Sequence, residues 1–473
     1  MERAKGLGPA SVISGPVRLP CSKSIAQRAL VAAALASGTT RIRGLTASGD
    51  VRSVLHALAG LSVRVDGQVP ERGSGAVTLQ GCPPGPQLGW TLAAPESAVD
   101  PREGVSVGES GTGARLLAAA AGLCGRVGAP ITLHAEGTLR GRSSSALLAA
   151  LKGAGVGVEH LGPGPWPLSL RPIGPPSSLH LEQPRSSQEL SALLIACAAW
   201  PGEFHVDVVG ELPSAPYARM TAGVLGRFGV LVTPPAHGNR DGTGASGGNG
   251  STAGCFGAGT WRLKGPLRAP DGALDVEPDA SAAAVAAAAA CLSGGELFVP
   301  GLSSASLQGD VAIAAYLRAF GCAAELSERG LSATGRPRRG ADLDLAGEPD
   351  LAPVLAAVAA VAARELGATS RLRGLETLPG KESSRIEVLA EGLARVGLEP
   401  VASDHDLVIG PPRSGSGDSG PVLLDPHDDH RMAFAFALLG LAFADVRVSS
   451  PACVAKSWPG FWDDLRDAGA RIH

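Results

Sequence analysis

Apolar positions at helical spacing, then a glycine, then a short run of β-branched residues: this succession recurs along the chain. It reads LHALAGLSVRV around Gly60, LLAALKGAGVGV around Gly155 and VLGRFGVLV at Gly229. It returns as YLRAFGCAAEL at Gly321, LARVGLEPV at Gly397 and LRDAGARI at Gly469. Each copy predicts an amphipathic helix stopped by a glycine C-cap and followed by a strand. The six copies lie 72 to 95 residues apart, too long a period for a solenoid of short repeats. Helix alternating with strand in every unit implies an α/β protein.

A second pattern is a polar cluster placed just ahead of a wholly apolar stretch. Leu19-Pro20-Cys21-Ser22-Lys23-Ser24-Ile25-Ala26-Gln27-Arg28 opens an Ala/Leu-rich segment that predicts a helix as far as Ser37. GESGTGAR at 108–115 runs into LLAAAAGLC, and Ser186-Ser187-Gln188-Glu189 precedes LSALLIACAAW with Ser186 and Glu189 at capping-box spacing. Glu277-Pro278-Asp279-Ala280-Ser281 precedes a long alanine run, where Asp279 reads as a plain N-cap; Asp428-Asp429-His430-Arg431-Met432 precedes AFAFALLGLAFA. The first turn of a helix carries unpaired N–H groups and a partial positive charge, so it attracts anions. Mouths that also hold Lys23, Arg28 and Arg431 point to phosphates and carboxylates as ligands.

Bulk properties narrow the field. With 473 residues, 44% hydrophobic and 18% charged, the chain is long enough for two or three domains with sizeable cores. A net charge of −3 gives no global attraction to nucleic acid or acidic membranes, and 4% aromatic residues leave little for base stacking. An anion site must therefore come from local clustering of cations. The eight cysteines are scattered without a CxxC pair, so they read as core residues in a reducing compartment. The N-terminal MERAKGLGPAS has no apolar segment of a signal peptide, and the run from Leu351 to Ala363 is too short to span a bilayer. The expected location is the cytoplasm. Pro234 to Thr260 is nearly all Gly, Ser, Thr and Asn and predicts a mobile surface insertion.

Taken together, LPCSKSIAQRA, GESGTGAR, LRGR at 139–142, SSQ at 186–188, SAPY at 214–217, QGD at 308–310, PD at 349–350, KESSR at 381–385, DHRM at 429–432 and CVAKSWPGF at 453–461 resemble the enolpyruvyl transferases, and among them the EPSP synthases. The resemblance runs from Leu19 to Pro459. It implies two globular domains, each of three βαβαββ units in an inside-out α/β barrel, with the active site in the cleft between them. The first globule would be 20–276, carrying the insertion at 235–260; the second would be 1–19 plus 277–473. The implied reaction transfers the enolpyruvyl group of phosphoenolpyruvate (PEP) to the 5-hydroxyl of shikimate-3-phosphate and releases phosphate. The sister enzymes acting on UDP-N-acetylglucosamine usually have Lys-Asn where this chain has Lys23-Ser24. A non-catalytic paralogue binding phosphorylated sugar acids is the alternative of another class.

Carried over residue by residue, the resemblance gives Lys23, Ser24, Arg28, Ser186, Ser187, Gln188, Ser214, Tyr217, Asp350, Thr377 and Lys381 to shikimate-3-phosphate. It gives Lys23, Gly111, Arg142, Gln188, Arg385, Arg431 and Lys456 to PEP. Asp350 would be the base for the hydroxyl, Glu382 the acid at C3, and Lys23 and Lys381 their catalytic helpers. No cofactor and no metal are implied, nor a nucleic-acid or membrane partner; the enzyme would be a monomer whose halves close on the ligands. His427-Asp428-Asp429-His430 has metal-like spacing but lacks a further ligand cluster, and GLETLPGKE at 374–382 departs from a P-loop. The chain also departs from the family at Cys21, Glu109, Ala215, Thr377 and Ser384. Glu109 would put a carboxylate near the PEP site, and pairing with Arg115 or Arg142 is the expected remedy.

Overall fold

A computed structural model of the chain describes residues 3–85, 89–91, 104–235, 258–379, 381–412 and 421–473. Its organising elements are six helices buried on nearly every side. Three lie in the first half, Lys23–Leu35, Gly111–Cys124 and Ser187–Ala198, and pack on one another. Ala280–Ser293, Ala352–Leu366 and His430–Leu439 form the matching trio in the second. A helix apolar all round has to be enclosed by protein, and Ala280–Ser293, with Ala at nine of its fourteen positions, lets its neighbours approach closely. The Lys23 helix stops at Leu35, two residues short of the expected Ser37, because Ala36 is extended.

Sheets and amphipathic helices surround each trio. Val105–Ser106, Gly111–Cys124, Ile131–His134, Ser145–Gly153, Gly157–His160 and Leu168–Arg171 follow one another as β, α, β, α, β, β. The two-residue edge strand is parallel to its neighbour and the other pairings are antiparallel. The same layout holds for the sheet starting at Leu179–Glu182, and for Thr39–Leu45 with Arg64–Gln68 and Gly75–Gln80. That last sheet takes its parallel edge from far along the chain, at Leu274–Asp275.

Five of the six repeat glycines take the left-handed conformation that only glycine adopts freely: Gly155, Gly229, Gly321, Gly397 and Gly469 have φ of +97°, +80°, +88°, +86° and +107°. Gly60 departs from the expected cap. It is the last residue of its helix, and Ser62, at φ +60°, makes the turn instead. The copy at Gly469 ends in one bridge, Ile472 to Leu7, rather than a full strand. The chain's start fills the gap there: Lys5 pairs with Val448, next to the parallel pair Val422–Leu424 and Val446–Val448.

Buried apolar residues form two clusters, one from Cys21 to Val276 and one from Leu7, Ile13 and Ala280 to Ala470. The chain passes between them twice, and the two passages lie side by side. Ser22 donates its N–H to Glu277 O at 2.9 Å and Asp279 donates to Pro20 O at 3.0 Å. A second tie is Arg72, whose Nη2 donates to Asp464 Oδ1 at 2.6 Å and Asp467 Oδ2 at 2.8 Å across the halves. Of the expected insertion, 236–257 lies outside the described residues, and Gly259–Gly265 is a strand paired with Gly202–Val209. Among the described residues no helix is long and apolar enough to cross a membrane.

Candidate active site

Where the halves face each other, a cavity of about 660 Å³ opens, large enough for two small ligands. Helix N-termini converge on it: Lys23–Ser24, Gly111–Thr112, Ser187–Gln188 and His430–Arg431 line it from four of the central helices. Asp350 enters from the 3-10 turn Pro349–Leu351 that leads into a fifth. Seven cations line the cavity (Lys23, Arg115, Arg142, Arg185, Lys381, Arg385 and Arg431) against four carboxylates, Asp50, Asp350, Glu376 and Glu382. A protein of net charge −3 has thus concentrated positive charge in one cleft.

The mouths are fixed by caps. Ser22 Oγ accepts from Ile25 N–H at 3.4 Å, Ser110 Oγ from Gly113 N–H at 3.1 Å, and Asp429 Oδ1 from Arg431 N–H at 2.9 Å. Asp279 does more than the plain capping expected of it: it caps Ala282 N–H at 2.9 Å and also takes Lys23 N–H, from the other half, at 3.2 Å. The capping box at Ser186 is altered. Ser186 Oγ accepts from Gln188 N–H, while Glu189 reaches back one residue further, to Arg185 N–H at 2.9 Å.

Lys23 Nζ meets Asp50 Oδ2 at 3.0 Å and lies 3.5 Å from His430 Nε2. Burial first, then the cations Lys23, Arg431 and Lys456, hold the His430 imidazole well below its ordinary pKa, so the ring is neutral. A neutral ring facing an ammonium turns its lone pair to Nε2, which puts its proton on Nδ1. His427 stands apart, exposed, at φ +51°. No cluster of three or more His, Cys, Asp or Glu able to hold a metal exists among the described residues.

Arg385 is the hub of the second half. Its Nε donates to Asp429 at 2.7 Å, Nη1 to Asp350 at 2.8 Å, and Nη2 to Glu382 at 2.7 Å and Asp429 at 3.3 Å. Four of its five N–H groups are therefore committed to carboxylates, leaving one for a ligand. Expected as a PEP clamp, it is mainly engaged with the carboxylates of Asp429, Asp350 and Glu382. Burial alone would raise the Asp350 carboxyl, but Arg431, Lys381 and Arg385 hold it far below the usual range. Glu382 is likewise low against its burial, through Arg385, Lys456 and Arg142. Lys381 Nζ lies 3.4 Å from Asp350, and Arg142 and Lys456 lie 3.6 and 3.5 Å from Glu382 Oε1.

Of the other expected residues, Ser186, Ser214, Tyr217 and Thr377 also line the cavity. Ser214 sits at φ +54°, a strain of about 1–3 kcal/mol of the kind found at functional sites. A Cβ at Gly111 would stand 3.1 Å from Arg115 Nη1 and 3.4 Å from the Arg142 guanidinium, so glycine there leaves both side chains room. Two expectations shift. Arg28 does not line the cavity: it is wholly buried behind Ser24, donating to Ser24 O, Thr221 Oγ1 and Ser191 Oγ, and burial lowers it to about 10. Lys456 stands at the rim, between Glu382 and Glu109 at 3.5 and 3.9 Å. The expected pairing of Glu109 with Arg115 or Arg142 is replaced by this contact, because Arg115 is committed to Gly111 O and Gln188 Oε1, both at 2.9 Å, and Arg142 to Glu382.

Asp50, Arg115, Arg185, Glu376 and His430 also line the cavity and were not among the residues assigned to ligands from sequence. Arg115 lies in the GESGTGAR motif and could have been read there; nothing local marks Asp50 as the partner of Lys23. Buried polar atoms without a hydrogen-bond partner include Thr377 Oγ1, Arg142 Nη1, Arg115 Nε and His430 Nδ1. All four belong to residues of the cavity wall. Such atoms cost about 1–3 kcal/mol each when unpaired, and polar ligands in the cleft would partner these four; Thr40, Ser48 and His134 carry others away from it.

The family model of EPSP synthase (3-phosphoshikimate 1-carboxyvinyltransferase) matches residues 8–244 and 255–465. The 3-phosphoshikimate 1-carboxyvinyltransferase of Laribacter hongkongensis is 34% identical over 465 residues, covering 97% of both chains. That of Vibrio vulnificus is 32% identical over 462 residues, again 97% of each. Among solved structures, EPSP synthase from Acinetobacter baumannii superposes with a TM-score of 0.73 at 22% identity, covering 100% of this chain and 99% of that one. The enolpyruvyl transferase NikO from Streptomyces tendae gives 0.67 at 17% identity, covering 99% and 98%. These two share the fold. With a family model spanning both halves and relatives matched end to end, the chain belongs to the EPSP synthase (3-phosphoshikimate 1-carboxyvinyltransferase) family.

Proposed function

We propose that this chain transfers the carboxyvinyl group of PEP to the 5-hydroxyl of shikimate-3-phosphate, giving EPSP and phosphate, a step of aromatic amino-acid biosynthesis. The observation that carries the reading is the cleft itself, where seven cations and four helix mouths face a space that two phosphorylated carboxylic acids would fill. Shikimate-3-phosphate would lie against Lys23, Ser24, Ser186, Ser187, Gln188, Ser214 and Tyr217, with Thr377 and Lys381 across the cleft; Arg28 would act from behind Ser24. PEP would lie among Gly111, Arg142, Arg431 and Lys456, with Arg115 supporting Gln188.

Bond making then follows. The 5-hydroxyl attacks C2 of PEP as Asp350 takes its proton, and Glu382 delivers a proton to C3. Phosphate then leaves the tetrahedral adduct with the proton that Asp350 took, and a C3 proton returns to Glu382. In the free enzyme both carboxylates are held ionised by cations, which suits neither a base nor an acid. Incoming phosphates and carboxylates share those cations, and each carboxylate becomes more basic as its partners are drawn off. The ligands thus switch on the groups that act on them. Halves 20–276 and 1–19 with 277–473 would close around the pair, since each supplies part of the wall. The protein would act as a monomer, and the seven described cysteines are free thiols, in keeping with the cytoplasm.

Purified protein given shikimate-3-phosphate and PEP should release phosphate. A binding paralogue would take both ligands without release, and an enzyme of the sister class would release phosphate only with UDP-N-acetylglucosamine as acceptor.

Two further outcomes are expected. Activity should persist in EDTA, because Arg142, Arg431 and Lys456 already supply the charge that Mg²⁺ gives many phosphoryl-handling enzymes; loss in EDTA restored by Mg²⁺ would contradict this. Glu109→Asn should lower the KM for PEP by freeing Lys456. Bare Coulomb attraction at 3.9 Å is about 4 kcal/mol at an effective dielectric of 20. Glu109 is half-exposed, so solvent screening leaves at most about 1 kcal/mol, or a change of up to about fivefold. An unchanged or higher KM would make Glu109 a structural partner only.

A further inference from the structure

Gln308-Gly309-Asp310 is a motif of the chain to which the reaction assigns no task. Gln308 grips the returning passage between the halves: its Nε2 donates to Glu277 Oε1 and Pro278 O, both at 2.8 Å, and its Oε1 accepts from Ala280 N–H at 3.0 Å. Two residues on, in the 3-10 turn Gly309–Ala312, Asp310 is buried and outside the cavity wall. Its Oδ2 accepts a hydrogen bond from Ser281 Oγ. Ser281 Oγ in turn accepts from Arg431 Nη2 at 3.2 Å. With Asp310 ionised the direction of this chain is fixed, since guanidinium only donates, carboxylate only accepts, and a serine hydroxyl has one proton to give.

We propose that Asp310, acting through Ser281, is a positioning residue that holds the Arg431 guanidinium in the cleft; the proposal rests on the reading of Arg431 as a PEP clamp. The other anchors of Arg431 are Asp350 O at 3.0 Å and Asp350 Oδ2 at 3.3 Å. Asp350 is the group that takes the substrate proton, so its carboxyl loses charge during turnover. A clamp tied to that carboxylate alone would slacken as the proton moves. Ser281 and Asp310 lie outside the proton transfers and keep their hold throughout. Asp310 has little else to do: among the described residues its side-chain hydrogen bond is the one from Ser281. A buried carboxylate so thinly partnered is costly. Burial, with Asp350 and Asp279 nearby, pushes Asp310 up to about 7 in spite of Arg431 and the Ser281 hydroxyl.

The test is steady-state kinetics with both substrates varied, on S281A, D310A, D310N, the double variant S281A/D310A, and R431A as reference. Losing a hydrogen bond to a charged group costs about tenfold in affinity. S281A and D310A should therefore raise the KM for PEP about tenfold, with kcat and the KM for shikimate-3-phosphate changed about twofold or less. D310N should stay near wild type, because its amide oxygen still accepts from Ser281. The double variant should be no worse than S281A, since one relay breaks only once. S281A removes a single hydroxyl, so it decides the matter even if D310A folds poorly. An unchanged PEP KM in S281A and D310A, beside a large rise in R431A, would overturn the relay and leave the site reading standing. Additive losses in the double variant would overturn it too, as two separate packing defects. No effect of R431A on PEP would overturn the site reading and this proposal with it.

Discussion

Glu382→Gln is expected to lower kcat by about 100- to 10,000-fold, the usual cost of losing a positioned acid–base group, while both substrates still bind. Glutamine keeps the length of the side chain but can neither deliver a proton to C3 nor take one back. The wild-type carboxylate also neutralises part of the positive field of Arg385 at 2.7 Å, Lys456 at 3.5 Å and Arg142 at 3.6 Å, which the amide does not. PEP should therefore bind the variant as well as or more tightly than wild type. The same wiring gives a pH signature. Glu382 is held ionised in the free enzyme and must be protonated to act, so forming the ternary complex at neutral pH should take up protons. Calorimetry in buffers of different ionisation enthalpy reads that uptake, and it should shrink in Glu382→Gln. Near-wild-type turnover would remove Glu382 from the chemistry.

Arg385→Leu is expected to cost both activity and stability. The wild-type guanidinium is buried among Asp429, Asp350 and Glu382; taking it away leaves Asp429 and Glu382 without their shortest ion pair and Asp350 with Arg431 and Lys381 alone. Breaking a buried pair in this way costs about 3–5 kcal/mol, which for a body of some 200 residues lowers Tm by roughly 10 °C. The sign of the pH dependence follows. In the wild type Asp350 and Glu382 are depressed, so their contribution to stability is present above the ordinary carboxylate pKa of about 4. It is lost as pH falls through their folded values. In the variant the same groups are raised and protonate readily, so the gap in Tm should be widest near neutrality and narrow as pH falls towards about 4. An equal gap at all pH values, or none, would contradict the hub.

Much of this arrangement was legible in the chain. The helix–glycine–strand signal is local: a left-handed cap after an amphipathic helix needs only neighbouring residues, and it located five of the six turns. It misplaced the cap at Gly60, where Ser62 turns the chain. It could not show that the sixth unit is finished by Lys5 and Leu7, because pairing over more than 400 residues leaves no periodic trace. Helix mouths pointed to the cation-lined cleft for the same local reason. What escaped was how charges divide among partners. Glu109 sits near Lys456, Arg28 behind Ser24, and Arg385 gives its donors to three carboxylates; each follows from tertiary packing, which sequence spacing does not encode. His430 looked like half of a metal pair, yet the helix beginning at that residue turns it inward to Lys23 and leaves His427 outside.

The central claim is that one cleft joins the two substrates by adding across PEP and then eliminating phosphate. The most direct measurement is the reaction of purified enzyme with shikimate-3-phosphate and PEP in heavy water, following phosphate and the C3 methylene of the product by NMR. The account predicts one phosphate per carboxyvinyl product and deuterium appearing at C3, because that carbon passes through a methyl group made with a solvent-derived proton. Phosphate released without deuterium at C3, or no phosphate with both substrates bound, would contradict it.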